Sequence, residues 1–470
     1  MNLIGEDIVL SEPEAGIVKT VMKFGGSSLA NAERVTYVAK LIKKHVDLGY
    51  KPLIICSAMG KTTNTLLSAG DFALTQGEIY VDSLRTLHIT TAQQLGLSQT
   101  TIDGIDELLR ELEKLLEGIK FIGELTPRTK DALVSFGERL SVKIVAGALN
   151  KLGVPAQSFD AWTLGLRTTS DFGNAEVKEE SYDNIKASLS KFDGFIVPVV
   201  TGFIGKDDKN RITTLGRGGS DLSATVFGAA AGVDEVQVWK DVDGIMTADP
   251  RLVKSAKPVN FVTYEEAAEL AYFGAEVLHP ISMQPAIRTK IPVRVKNSYN
   301  PLAIGTKITM DRDKSSSIVT AITSKSNVQL VDIVSNRMLG QYGFLSTVFK
   351  AFEDSELSVD VVASSEVSVS LTLDNKQRDI GDIPLMLNKL KDFAEVKVYD
   401  GKAIVSLISN IDRAAEVLAK TFQVIEKLGV TVEMISQGAS KVNISVVIAQ
   451  KDKDRLIQKL HACFFDGEQI

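Results

Sequence analysis

Lys23 stands at the end of an apolar run, VMKF, and is followed at once by Gly25, Gly26, Ser27 and Ser28. An ammonium at the rim of a buried strand wants an anion. Adjacent glycines after a strand let backbone N–H groups approach phosphate oxygens, and the start of the next helix favours negative charge. Three more runs have this character: CSAMGKTTN (Cys56 to Asn64), SFGERLS (Ser135 to Ser141) and TTLGRGGSD (Thr213 to Asp221). The last places three glycines beside Arg217 and Asp221, flexible enough to close over a ligand. Taken singly, each run is also an ordinary strand-to-helix turn. Gly60-Lys61-Thr62 lacks the earlier glycine of a P-loop, and the HRD and DFG signatures of protein kinases are missing. Two cysteines without a CxxC spacing and four histidines without HExxH exclude a disulfide framework and argue against a zinc hydrolase.

These runs need strands and helices to hold them. VMKF, the Gly-Gly-Ser-Ser turn, a helical pattern through Val35, Val38, Leu41, Ile42 and Val46, and the apolar run Pro52 to Cys56 follow the βαβ rhythm. Similar runs recur at Phe195 to Val200, Val236 to Trp239 and Val293 to Lys296. The spacing predicts an α/β domain over 17–310 on a mainly parallel sheet, with ligands at the carboxyl ends of the strands.

At Asp311 to Ser317, DRDKSSS, the chain turns polar, and a second domain is expected beyond it. There the sequence repeats itself at an offset of 73 residues: Phe349, Phe352, Leu357, Val359 and Val361 answer Phe422, Ile425, Val430, Val432 and Met434. Helix, short turn and two alternating strands on each side indicate a duplicated βαββ unit. The expected parts are an N-terminal extension over 1–16, the α/β domain, a linker with the first repeat unit over 311–394, and a second unit over 395–466 to which 316–325 is available as a strand. The 470 residues carry 53 basic and 59 acidic side chains, a net charge of −6, which disfavours nucleic-acid binding through bulk positive charge. No apolar stretch reaches membrane-spanning length, and the acidic start lacks a signal-peptide pattern, so a cytoplasmic chain without a membrane partner is expected.

In their order, KFGGSS, SAMGKTTN, SFGERLS, TTLGRGGSD, VDGIMTADPR (Val242 to Arg251) and FGAEVLHP (Phe273 to Pro280) resemble the motif set of the aspartate kinases. The resemblance implies the three-layer αβα amino-acid-kinase fold, followed by two α+β ferredoxin-like units of ACT type. It implies ATP-dependent phosphorylation of the β-carboxylate of L-aspartate to 4-phospho-L-aspartate, the first step of lysine, threonine and methionine biosynthesis. MLGQYGFL and SVDVVASSEVSVSLTLD resemble the monofunctional, lysine-sensitive branch, so L-lysine is implied as effector and a homo-oligomer through the ACT-type units as the assembly. A non-catalytic amino-acid sensor, or a related kinase acting on another carboxylate, are the competing readings.

Carried over residue by residue, Lys23 with Gly25, Gly26 and Ser27 would bind the transferring phosphoryl group of ATP. Lys240, Asp241, Met246 and Arg251 would meet the rest of the nucleotide. Ser57, Thr63, Glu138, Arg217 and Asp221 would form the aspartate site. The residue types suit these roles, since Arg217 offers a planar fork to a carboxylate and Glu138 an acceptor to an ammonium. Mg²⁺ would arrive with ATP, and no resident metal site is expected. Two positions depart from the family pattern: Lys240 stands where threonine is frequent, and Glu276 where lysine is frequent. In the tail, Met338, Gln341, Gly343, Phe344, Leu345, Asp360, Ser364 and Ser365 match effector positions, whereas Glu433 and Gln437-Gly438 replace their counterparts in the second unit.

Overall fold

The computed structural model describes residues 18–192, 196–275, 278–313, 318–335, 343–365, 367–374, 381–438 and 440–468. The elements of the first part are β1 (Lys19–Phe24), α1 (Ala32–Asp47), β2 (Lys51–Cys56), α2 (Thr62–Thr75), α3 (Asp82–Gln94), α4 (Gln99–Ile122), α5 (Pro127–Lys151), β3 (Ala156–Phe159), α6 (Glu180–Leu189), β4 (Val197–Thr201), β5 (Ile204–Lys206), β6 (Ile212–Thr214) and α7 (Gly219–Ala231). There follow β7 (Glu235–Lys240), β8 (Phe261–Thr263), α8 (Tyr264–Tyr272), α9 (Pro280–Thr289), β9 (Val293–Asn297) and β10 (Thr306–Thr309). The tail holds β11 (Val319–Val334), α10 (Phe344–Glu353), β12 (Val359–Ser364), β13 (Ser368–Asp374), α11 (Ile383–Leu390), β14 (Glu395–Ser409), α12 (Ala414–Leu428), β15 (Val432–Gln437), β16 (Asn443–Ala449) and α13 (Lys453–Phe465).

The helices begin where side chains can take up their free N–H groups. Asn31 accepts from Arg34 N in α1, Ser98 caps α4, and Thr126 caps α5 just ahead of Pro127. Such a cap contributes about 1 kcal/mol, and Gly123 in the left-handed region closes α4.

Eight strands form one sheet in the order β3-β4-β2-β1-β7-β9-β10-β8 among the described residues, parallel except where β10 meets β9. Its central strands are buried along nearly their whole length, as a sheet covered on both faces requires. One face carries Met22, Phe24, Ile54, Cys56 and Trp239 into a core with α1, α2, α4 and α5. On the other face Gly228 of α7 lies so close that a Cβ would meet Val236 and Val21. Side chains alternate along a strand, so Lys23 shares the α7 face with Val21.

The second compact unit is built on a six-stranded antiparallel sheet, β12-β13-β11-β14-β16-β15. The 16-residue strand β11 joins both repeats: its first half pairs with the end of β14, its second half with β13 and the start of β14. Each repeat carries one helix more than the expected βαββ, namely α11 and α13. α10 and α11 cover Val331, Val369 and Leu371, while α12 and α13 cover Val405, Ile444 and Val446.

Within the stretch 17–310 expected as the α/β domain, residues 246–259 and 265–276 pack with the second unit. Hydrogen bonds and apolar burial hold them there. Ile322 N donates to Thr247 O at 2.8 Å, Asn443 Nδ2 donates to Glu269, and Ala248 and Val253 enter the core of α12 and α13. None of these partners is near in sequence, which is why no local signal marked them.

Candidate active site

Lys23 and Asp221 meet at the carboxyl end of β1. Asp221 sits in the first turn of α7, entered through Gly218 at φ 75°, and its Oδ1 lies 2.6 Å from Lys23 Nζ. Both side chains are about nine-tenths buried. Burial pushes the Asp221 carboxyl up, but Lys23, Lys240 and His279 together hold it below its ordinary value, so it is ionised near neutrality. Lys240, the first departure from the family pattern, therefore adds positive charge to this cluster.

The two glycines after Lys23 differ in purpose. A Cβ on Gly25 would stand 3.8 Å from Lys23 Nζ, so a bare backbone keeps the space beside the ammonium open. A Cβ on Gly26 would strike Gly60 O at 2.8 Å and Ala58 O at 2.9 Å, and Gly60 N donates to Gly26 O. Gly26 is thus required for the loops after β1 and β2 to touch. Ser57 follows on that second loop, half-buried, with its N–H on Phe24 O, and Thr63 is half-buried in the first turn of α2. Ser27 is exposed.

Glu138 projects from the middle of α5 toward the same place. Its Oε1 accepts from Ala58 N at 3.2 Å, while Oε2 is buried without a hydrogen-bond partner among the described residues. Burial pushes the carboxyl up to about 8, against the pull of the Ala58 N–H and Lys23. A buried acceptor left open is costly unless something arrives to fill it. Arg217 lies exposed on the loop between β6 and α7, flanked by Gly216 at φ 69° and Gly218. A Cβ on Gly218 would meet the His279 Cβ at 2.7 Å.

The structure thus gathers Lys23, Gly25, Ser57, Glu138, Asp221 and Lys240 around the ends of β1, β2 and β7. Asp241 is exposed next to Lys240. Met246 and Arg251 fall in the second unit, where Met246 bridges to Pro258 and Arg251 forks onto Asp249. Glu276 lies outside the described residues. His279 and Asp131, which bears on the Arg217 loop, carry no signal of a role in the sequence. A lone acid on a helix gives no such signal.

In the second unit, Gly343 takes φ 89° and opens α10, leaving Phe344 half-buried and Leu345 exposed. Asp360 on β12 is already engaged. It accepts from Lys325 Nζ at 2.7 Å and from the Tyr272 hydroxyl at 2.9 Å, and the Lys325 ammonium lies over the Tyr272 ring. The second repeat has a similar ion pair between Lys402 and Glu433, with Lys402 over the Tyr399 ring of its own strand. Ser364 and Ser365 are exposed at the β12–β13 hairpin, where Ser365 N donates to Ser368 O. Met338 and Gln341 lie outside the described residues.

A mainly parallel αβα sheet with its polar cluster at the strand ends, followed by paired α+β repeats, defines a kinase-type domain with a regulatory tail. The model of the amino acid kinase family matches residues 18–297, and that of an ACT domain matches residues 405–464. Aspartokinase 2, chloroplastic, of Arabidopsis thaliana is 49% identical over 466 residues, covering 95% of this chain and 84% of its own. Escherichia coli aspartokinase III in complex with lysine and aspartate (T-state) is 33% identical with a TM-score of 0.79, covering 95% of this chain and 99% of its own. The same enzyme in complex with aspartate and ADP (R-state) gives 32% and 0.78 over the same shares. The chain belongs to the aspartokinases of the amino acid kinase family.

Proposed function

We propose that the chain transfers the γ-phosphoryl group of ATP to the β-carboxylate of L-aspartate, giving 4-phospho-L-aspartate and ADP, and that L-lysine inhibits it through the tail. The observation that carries the substrate assignment is Glu138, whose buried Oε2 is open beside the Lys23–Asp221 pair. An α-ammonium fits that acceptor, and the fork of Arg217 suits the α-carboxylate. The β-carboxylate, with a reference pKa of about 3.9, is ionised near neutrality, so no general base is required. Its oxygen bonds to the γ-phosphorus as the bond to the β-phosphate oxygen breaks, and no proton moves. Lys23 and the N–H groups around Gly25 would neutralise charge on the transferring group. Asp221, held ionised, is the residue that would face a Mg²⁺ carried by the nucleotide, which supplies further charge neutralisation at the phosphate oxygens.

For lysine, the support is an aspartate, Asp360, that already receives one ammonium in the free chain. A homo-oligomer joined through these repeats is part of the same reading, because β12 and β15 end the sheet and each bonds on one side only among the described residues. No described helix is long and apolar enough to cross a membrane. A cytoplasmic location stands as a proposal beside the chloroplastic name of the Arabidopsis relative, and fractionation against compartment markers separates the two.

The deciding assay is ADP release with L-aspartate and Mg-ATP, with and without L-lysine. Turnover that depends on aspartate and falls with lysine is expected. Lys23→Ala should lower kcat/KM about 30-fold to several thousand-fold while the protein stays folded. Near-normal turnover in folded Lys23→Ala would remove the phosphate role.

A further inference from the structure

Helix α5 carries two buried acids seven residues apart, Asp131 and Glu138, which fall on nearly the same face because two turns take about seven residues. Glu138 fastens the loop after β2. Asp131 fastens something else. Its Oδ2 accepts from Thr214 N at 2.8 Å and from Gly173 N at 3.0 Å, and its Oδ1 accepts from the Thr214 hydroxyl at 2.9 Å. Thr214 is the last residue of β6, and Arg217 follows three residues later.

The segment so gathered is also joined to the Arg217 loop independently of Asp131. Ala175 N donates to Thr214 O at 2.8 Å, and a Cβ on Gly216 would stand 2.4 Å from Asn174 Oδ1. The backbone on which Arg217 stands is therefore pressed between residues 173–175 and the carboxylate of Asp131. Burial pushes that carboxyl up, and the three donors pull it back. No lysine or arginine is paired with it among the described residues, so hydrogen bonds alone offset the cost of burying it.

We infer that Asp131 is a positioning residue for amino-acid recognition: it fixes where the loop leaves β6 and thereby sets the Arg217 guanidinium against the substrate carboxylate. The inference rests on the reading of Arg217 given above. It makes acceptor geometry, not charge, the requirement. An asparagine could accept both backbone N–H groups through its oxygen and donate to the Thr214 hydroxyl, which can accept.

Steady-state kinetics on four variants test this. Asp131→Ala should raise the KM for aspartate about tenfold or more, with the KM for ATP within about twofold of the parent. Asp131→Asn should stay within about threefold on both. Circular dichroism and melting establish folding. If Asp131→Ala does not fold, Thr214→Val, which removes the hydroxyl donor alone, should still raise the aspartate KM about threefold with the ATP KM unchanged. An unchanged aspartate KM in whichever of these two variants is folded, or an equal rise in both KM values, overturns the inference. Arg217→Ala separates the two ideas. If it leaves the aspartate KM unchanged, the Arg217 assignment falls and the inference with it. If it raises that KM while folded Asp131→Ala does not, the inference alone falls.

Discussion

Glu138 shows how a single side chain can tie binding to pH. In the free protein burial keeps its carboxyl neutral up to about pH 8, yet the ionised form is the one that receives an ammonium. The kcat/KM for aspartate, which reports free-enzyme groups, should therefore climb between pH 6 and about 9, and Glu138→Gln should abolish the climb. A flat profile in the parent protein would sink this. Stability should run the opposite way. The folded state keeps a proton that the unfolded chain releases from its ordinary value of 4.5, so the contribution is full below that pH and is lost as pH rises toward 8. Melting temperatures without substrate should fall across that window in the parent relative to Glu138→Gln.

Among the elements, β11 and β12 hold the residues of the proposed lysine site. Asp360 is held by Lys325 and Tyr272, and Tyr272 lies in the segment that the sequence reading had given to the catalytic part. An effector ammonium reaching Asp360 must take the place of the Lys325 ammonium. Lys325→Gln should thus lower the lysine concentration for half-inhibition, by about threefold or more, and Asp360→Ala should relieve inhibition with the uninhibited kcat largely kept. The lysine titration decides: half-inhibition unchanged or weakened in Lys325→Gln means that Lys325 does not compete for the site. In the same proposal the exposed start of α10 at Gly343 would receive the effector's carboxylate.

For the whole molecule, the core under the parallel sheet and the two helix-covered cores of the repeat unit are distinct, which predicts separable stabilities for the two units. Phe352 is fully buried with Val348, Leu371 and Met386 in the repeat unit, apart from the core under the parallel sheet. Phe352→Ala should cost about 3–5 kcal/mol in that unit. Calorimetry should show the lower-melting transition shifting while the other stays, and uninhibited turnover at low temperature should persist as lysine sensitivity is lost. Equal shifts of both transitions would show the units to unfold as one. Below the level of units, the βαβ order and the duplicated tail were legible in the sequence because period-two burial, glycine turns and repeated apolar positions are local patterns. Lys23 was singled out by its place at a strand end, whereas Glu138 was singled out only by the motif resemblance.

What the sequence determined alone was the set of chemical groups and their order along the chain: an ammonium at a strand end, glycines where backbones must touch, an arginine on a glycine-rich loop and acids on the helices. Tertiary structure decided their partners. That Lys23 pairs with Asp221, that Glu138 keeps one oxygen open, and that Asp131 clasps Gly173 and Thr214 depends on residues 42 or more positions apart in the pairs with Asp131. The same holds for residues 246–259 and 265–276. Hydrogen bonds such as those from Ile322 and Asn443, and the burial of Ala248 and Val253, group them with the second. Local periodicity fixes which face of an element is apolar, but the distant surface that covers that face is chosen only when the chain folds.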